Sequence, residues 1–523
     1  MSFSKTGAGE SAARPRVLAP LIATLILLGL GLALPMGASA LRASSGSGWH
    51  AQNASAAGSD ASLNSVYFAD AAHGWAVGNS QGVSGYAPVI LATTDGGATW
   101  GAQDSGSAGI NASLNSVRFV DSTHGWAVGD SYDASAYGTS VILATTDGGA
   151  TWSAQDPGSA GIGGSLKSVF FIDAAHGWAV GDSFDASGYY AGPVMLATTD
   201  GGATWTARDV SSVGGSQLSL GAVTFADTNH GWAVGSTGGD KVSILSTSDG
   251  GATWSAKAVR DGHDGMGGAS LHSVCFVDAK HGWAVGGAGG EDPSCLPIII
   301  ATRDGGATWN TEKVPRAYGD AYLYSVTFVD AEHGWLVGAN VLDRAAIVLA
   351  TSDGGTTWKA QDTGIPGELA GHDRSAALTS VAFADATHGW AVGDSIYVPT
   401  GSSVPVIVDT TNGGFPASVP TPKVTLKLSG LTSGAMRLGK SVTAKGKVTP
   451  TSLAGSQVKL TVQKKRSARW VTLKSVKRTI SATGAYSWKY KPARRGAYRM
   501  RATIAKTAAH TAATTKWLAF KVK

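Results

Sequence analysis

Thr93-Thr94-Asp95-Gly96-Gly97-Ala98-Thr99-Trp100 returns along the chain as TTDGGATW at 145–152 and 198–205, TSDGGATW at 247–254, TRDGGATW at 302–309 and TSDGGTTW at 351–358. A seventh copy, Thr410 to Ala417, reads TTNGGFPA and has lost its Trp. Asp bonds backbone amides two residues on, and Gly takes positive φ without steric cost, so Asp-Gly-Gly marks a tight turn. The run Val89-Ile90-Leu91 precedes the turn and a Trp closes it, so each copy joins two strands.

Upstream of each turn stands a second repeat, HGWAVG or HGWLVG, beginning at His73, His124, His176, His230, His281, His333 and His388. The second unit shows the plan. Leu114, Val117 and Phe119 are the apolar positions of a first strand, Ser122 to Gly125 turn the chain, and Trp126 to Gly129 form a second strand. Val141 to Thr145 form a third and Thr151 to Gln155 a fourth. Seven units of about fifty residues, each four antiparallel strands, predict an all-β chain built on a seven-bladed β-propeller. A linear β-solenoid is the alternative, but its rungs are shorter.

The seventh unit runs from its turn into Pro416 and has no fourth strand of its own. Gly48-Trp49-His50-Ala51-Gln52-Asn53 matches the fourth-strand pattern T-W-x-A-Q-D. The ring is therefore expected to close by pairing Trp49 to Asn53 with Val406 to Thr410.

Thr93, Asp95, Gly97, Thr99 and Trp100 fit the motif S/T-x-D-x-G-x-T-W, known as the Asp-box or bacterial neuraminidase repeat. With F-x-D-x-x-H-G-W-x-V-G, the units over about residues 49–415 resemble the photosystem II stability/assembly factor-like family of seven-bladed propellers. The resemblance implies the fold. It implies no one activity, because Asp-box propellers include sialidases, xyloglucan hydrolases and sortilin-type receptors.

Residues 1–40 read as a secretory signal peptide: Lys5, Arg14 and Arg16, then the apolar run Val17 to Leu34, then Ala38-Ser39-Ala40 as a cleavage site. An uncleaved membrane anchor is the rival, since the run just reaches spanning length. Residues 41–415 are then the propeller, 416–422 a Pro-rich linker and 423–523 a second domain. The 72 Gly and 17 Trp sit at fixed places in the repeat and describe turns in a folded β protein rather than disorder. The net charge of +5 hides an asymmetry, for residues 421–523 hold 24 Lys or Arg and no Asp or Glu. The other 17 basic residues face all 36 acidic ones.

The seven His of the HGW turns tempt a metal or acid/base reading. A catalytic group is needed once, however, and a residue present in every blade holds a turn. The same reasoning makes Asp95, Asp147, Asp200, Asp249, Asp304 and Asp353, with Asp70, Asp121, Asp173, Asp227, Asp278, Asp330 and Asp385, turn acceptors. Glycosidase chemistry asks for two non-repeated carboxylates flanking one bond. Outside the repeat the propeller offers few Glu (Glu291, Glu312, Glu332 and Glu368), and its Arg residues show no sialidase signature. No catalytic residue, cofactor or metal is assigned. Cys275 and Cys295 lie within one unit and, in an exported protein, are expected to form a disulfide.

Sequence diversity collects in the loops from the second to the third strand and from the fourth strand to the next blade, which share one face. The expected ligand contacts are Tyr86, Tyr132, Asp133, Tyr137, Phe184, Asp185, Tyr189 and Tyr190, extended by Arg316, Tyr318 and Tyr322. Ordinary packing of loop on loop is the bland alternative.

Beyond the linker, alternation such as Val458, Leu460, Val462 and Tyr498, Met500, Ala502, Ile504 suggests seven or so short strands in an immunoglobulin-like sandwich, similar to bacterial cell-surface modules. Its charge suits an anionic wall polymer or phospholipid surface. Export disfavours nucleic acid. The chain reads as a secreted or cell-surface monomer that recognises a glycan or protein without catalysis, with a sialidase-like or xyloglucanase-like hydrolase as the alternative.

Overall fold

The computed structural model describes residues 48–523 except 83–84, 107–110, 134–135, 159–163, 186, 216, 239–240, 261–267, 290–294, 316–317, 364, 366–373, 415–421, 450–452, 454 and 506–511. The expected signal segment, and the linker apart from Pro422, therefore lie outside the described residues. Among the described residues no helix is long and apolar enough to cross a membrane. The chain divides into two compact units, Met1–Pro416 and Ala417–Lys523.

The first unit is seven antiparallel four-stranded sheets, the blades of a β-propeller. In the first blade the strands are Ala61–Phe68, Gly74–Gly82, Gly85–Thr93 and Gly101–Ala102. Second strands run longer than HGWAVG alone suggests, as with Gly125–Asp133. Five of the seven fourth strands are pairs such as Ser153–Ala154, whereas Ser255–Arg260 runs to six residues; the Asp-box turn holds the chain through Thr151, bonded to Asp147 by its amide and hydroxyl.

Each turn is wired from within. Asp95 Oδ1 accepts from Thr93 Oγ1 at 2.8 Å and from the Thr99 amide at 2.9 Å, while Oδ2 accepts from Thr99 Oγ1 at 2.7 Å. Gly96 and Gly97, at φ 73° and 89°, take the left-handed conformations that close it. In the HGW turns, Asp70 accepts from the amides of Ala72 and His73, and its carboxylate also meets His73 Nδ1.

Blades are joined by aromatic rings. The HGW Trp of one blade stacks on the first-strand Phe of the next, as Trp75 on Phe119 at 3.5 Å and 8°, and the Asp-box Trp152 meets the same Phe edge-on at 5.9 Å. Trp75 Nε1 also donates to the carbonyl of Gly148 in that next blade at 2.9 Å. The same donation recurs from Trp126, Trp178, Trp232, Trp283, Trp335 and Trp390, so it crosses all seven blade boundaries. Close to the axis, a first-strand Ser hydroxyl accepts the next blade's Val amide, as Ser65 does from Val117 at 3.2 Å.

The ring closes as expected. Gly48–Ala51 pairs with Ser402–Gly414, His50 opposite Asp409 and Ala51 opposite Val408, and Trp49 is fully buried.

The disulfide expectation is corrected. Cys275 pairs with Trp283 in register, whereas Cys295 pairs with Gly289 at the far end of the strand between them. Six residues of strand are about 20 Å, well beyond bridging distance. Cys275 is a free, half-buried thiol packed against the core between the fifth and sixth blades.

The second unit is a sandwich of two sheets. The larger orders Ala435–Met436, Leu518–Val522, Gly496–Ile504, Gln457–Arg466 and Arg469–Thr479, with Ala513–Thr514 beside Gly496–Ile504. The smaller centres on Val442–Thr449, flanked by Lys423–Val424, Lys427–Ser429 and Ala485–Tyr490. Alternate residues from both (Val442, Ala444, Trp488; Leu460, Tyr498, Met500, Phe520) fill one apolar core.

Candidate functional site

In every blade the first strand carries a bulge at the same place, between Leu63 and Ser65 and its six equivalents. The extra residues are Asn64, Asn115, Lys167, Gly221, His272, Tyr324 and Thr379. Leu on one side and Ser or Ala on the other hardly change, yet these seven all differ or nearly so. A bulge re-aims a side chain and is tolerated where pairing ends. Because each bulge lies just after the chain enters the blade, the set forms a ring on the face of the variable loops.

Around that ring the second strands supply a further set. Asn115 Nδ2 donates to Asp130 Oδ1 at 2.8 Å, and Ser165 Oγ of the next blade donates to the same oxygen at 3.0 Å. One blade on, Lys167 Nζ and Ser219 Oγ converge on Asp182 Oδ2. In the seventh blade Asp394 Oδ2 accepts from Ser62 Oγ at 2.8 Å and Ser403 Oγ at 3.1 Å. Burial raises the Asp394 pKa, and the two hydroxyls offset this only in part.

On the opposite side of the ring the groups are aromatic. His272 lies 5.0 Å from the Tyr322 ring and 6.3 Å from Tyr324, and the two tyrosines are 5.4 Å apart. Burial, then the positive charge of Lys167, depresses the His272 pKa to about 4, so the imidazole is neutral at pH 7. Its Nε2 is buried with no hydrogen-bond partner among the described residues.

Asp130 Oδ2 and Ser140 Oγ share that condition. The two residues pair across strands, and Asp130 is only 3% exposed. Where the third blade has Lys167 against its carboxylate, the second has neutral Asn115. Nearer the HGW face, Arg118 is held between Tyr67 and Phe170, at 4.7 Å and 4.5 Å from their centroids.

The loop residues expected from sequence divide. Tyr189 is 66% exposed and Tyr86 39%. Asp185 is exposed but accepts the amides of Ser187 and Tyr189, which makes it a turn former. Phe184 is half-buried against Tyr190. Two of the expected contacts also have structural roles: the Tyr190 hydroxyl donates to the Leu218 carbonyl, and Tyr318 packs on the core between the fifth and sixth blades. Tyr322 joins the ring. Arg316 and the side chains of Tyr132, Asp133 and Tyr137 lie outside the described residues.

Lys167, His272, Tyr324, the buried Asp130 and Asp182 and the half-buried Asp394 were missed by sequence reasoning. The signal was present: one column of the repeat alignment varies while its neighbours do not. The turn residues of the other face do not form such a set. A shallow depression there, between the fourth and fifth blades, is lined by His230, Trp232, Thr247 and Asp304, all repeat residues.

Of the non-repeated acids, Glu332 sits in an HGW turn on the far face and Glu312 faces Arg303 at 3.7 Å. Glu291 and Glu368 lie outside the described residues. One oxygen of each ring carboxylate takes amide, ammonium or hydroxyl donors, while Asp130 Oδ2 has no partner among the described residues, so the arrangement offers hydrogen bonds and ring faces to a ligand. Among the described residues no three His, Cys, Asp or Glu gather as a metal site.

Fold and repeat together define a seven-bladed propeller of the Asp-box class. Residues 42–157, 215–317, 266–365 and 317–414 match the family described as photosynthesis system II assembly factor YCF48. These segments span more than half of the chain, which belongs to that family. No curated protein sequence matches it. Among solved structures, the chain is similar to a polysaccharide lyase of the ulvan lyase type, at 10% identity over 65% of this chain and 90% of that one, TM-score 0.39. It is similar also to a protein of unknown function from Dyadobacter fermentans, at 13% identity over 69% and 99%, TM-score 0.39. A variant of the NanB sialidase from Streptococcus pneumoniae aligns at 11% identity over 71% and 70%, TM-score 0.35.

Proposed function

We propose that the protein is an exported, non-enzymatic recognition scaffold. The propeller binds a glycan or protein ligand at the mouth of its axis on the variable face, and the second unit, of the immunoglobulin-like class, retains the protein at an anionic cell surface. The observation that carries the first half is the bulge ring, where one position is filled by Asn, Asn, Lys, Gly, His, Tyr and Thr in otherwise like blades. Folding has no need of that variety, and recognition does. The family's printed description as an assembly factor is compatible with the same reading. The charge of residues 421–523, with 24 cations and no acid, supports retention through screened Coulomb attraction. The test is a glycan and peptide array probed with the full chain beside a chromogenic glycosidase panel. Array hits without turnover support the scaffold; turnover abolished by Asp130→Asn or Asp182→Asn would replace it with the hydrolase.

A further inference from the structure

The second unit carries a face that the propeller leaves unexplained. On the outer side of its larger sheet the Arg499 guanidinium lies 4.4 Å from the centre of the Trp470 ring and 4.3 Å from that of Trp517, and Arg501 lies 4.5 Å from Trp517. Register explains the gathering. Arg499 stands opposite Gln463, Arg501 opposite Thr461, and Trp470 opposite Lys465. Since Val458, Leu460, Val462, Met500 and Ala502 point into the core, strand alternation turns these residues outward. Arg499 Nε donates to Gln463 Oε1 at 2.8 Å, which fixes the guanidinium plane. Arg501 Nε is buried without a partner. Residues 421–523 contain no acid, so nothing within the unit neutralises either cation.

We infer that this face recognises the anionic groups of a carboxylate- or phosphate-bearing cell-surface glycan, an inference that rests on the retention reading above. Guanidinium groups lie against the indoles, so the face presents planar N–H forks, with less bare ring for nucleobases to stack on. A planar fork is the geometry that takes a carboxylate or phosphate bidentately, and a Lys cannot reproduce it. Holding the forks against the rings lowers the ordering cost of binding. Arg499 and Arg501 are alternate residues of one strand, about 7 Å apart along it, and so meet successive charges of one extended chain.

The test uses the full chain on immobilised polygalacturonate and poly(glycerol phosphate), with oligo(dT) as competitor. Wild type binds at least one polymer at low salt and releases it as the screening length contracts from about 10 Å at 0.1 M to 3 Å at 1 M. Arg499→Gln with Arg501→Gln weakens binding about tenfold or more. Lys445→Gln with Lys489→Gln, the same charge loss on the smaller sheet, changes it less than about threefold. Arg499→Lys with Arg501→Lys keeps the charge and restores only part, and this pair carries the comparison if the Gln pair melts early. No wild-type binding to either polymer overturns the retention reading itself. Equal loss from both Gln pairs overturns this site and leaves that reading standing, while preference for oligo(dT) over both polymers overturns the glycan assignment.

Discussion

Trp49 and Gln361, 312 residues apart, are joined by a hydrogen bond from indole Nε1 to amide Oε1 at 2.9 Å. Trp49 belongs to the borrowed strand of the seventh blade and Gln361 to the sixth, and Gln52 in turn accepts from Trp100 of the first at 2.9 Å. The four-residue strand and the Gln52 that follows it thus bond to blades on both sides of the closure. Trp49→Ala should lower stability by about 3–5 kcal/mol, with Trp49→Phe intermediate because it keeps burial and strands Gln361. Urea unfolding followed by Trp fluorescence checks the order; a silent Trp49→Ala would mean the ring does not depend on this strand.

The same link is broken elsewhere, and visibly so. Trp152 and Trp205 donate to Gln103 and Gln155, but the next three blades find Arg208, Lys257 and Glu312 where Gln should stand. Trp254, Trp309 and Trp358 accordingly have buried, unpartnered Nε1 atoms. Arg208 Nε is itself buried and unpartnered, so Arg208→Gln removes one orphan and satisfies another. It should raise stability by about 1 kcal/mol, seen as a higher urea midpoint with unchanged slope. A lowered midpoint would show that Arg208 has a use here not covered by the packing.

His272 gives the ring a pH signature. Its folded pKa, about 4, lies below the ordinary value of 6.5, because burial and then Lys167 disfavour the imidazolium. The neutral form's contribution is therefore complete above pH 6.5 and is lost as pH falls toward 4. The His272 ring resonances should titrate near pH 4, and His272→Gln should flatten the melting temperature between pH 6.5 and 4. Titration near 6.5 would mean that water reaches the ring freely.

Cys275 should behave as a sequestered thiol. Burial pushes its pKa up to about 11, only partly offset by the Phe328 carbonyl contact and Arg118. It should resist a thiol reagent in the native protein at pH 8. Denatured without reductant, the chain should show two thiols; fewer would restore the disulfide that the strand register argues against.

How far the sequence could be read follows from what repeats. Seven copies of HGW, with six Asp-Gly-Gly turns and one Asn-Gly-Gly, fix blade number, strand order and even the closing strand, because each residue is dictated by a local turn or by an aromatic contact reproduced at every boundary. Cys275 and Cys295 misled because proximity along the chain says nothing of which end of a strand each occupies. Tyr190 and Tyr318 looked like loop aromatics, but one caps a carbonyl and the other packs on a core. Lys167 and His272 were overlooked because a one-residue bulge leaves no hydrophobic pattern; only comparing equivalent positions between blades exposes them.

In the proposed scaffold, recognition happens at the ring on the variable face and not at the repeated turns. That placement is tested by measuring the affinity of an array-identified ligand for wild type, Lys167→Ala, Tyr322→Ala and His124→Ala. The two ring variants should lose about thirtyfold, near 2 kcal/mol, with melting temperature little changed, while His124→Ala should melt earlier and bind as wild type. Affinity controlled by His124, with Lys167→Ala and Tyr322→Ala silent, would contradict that placement.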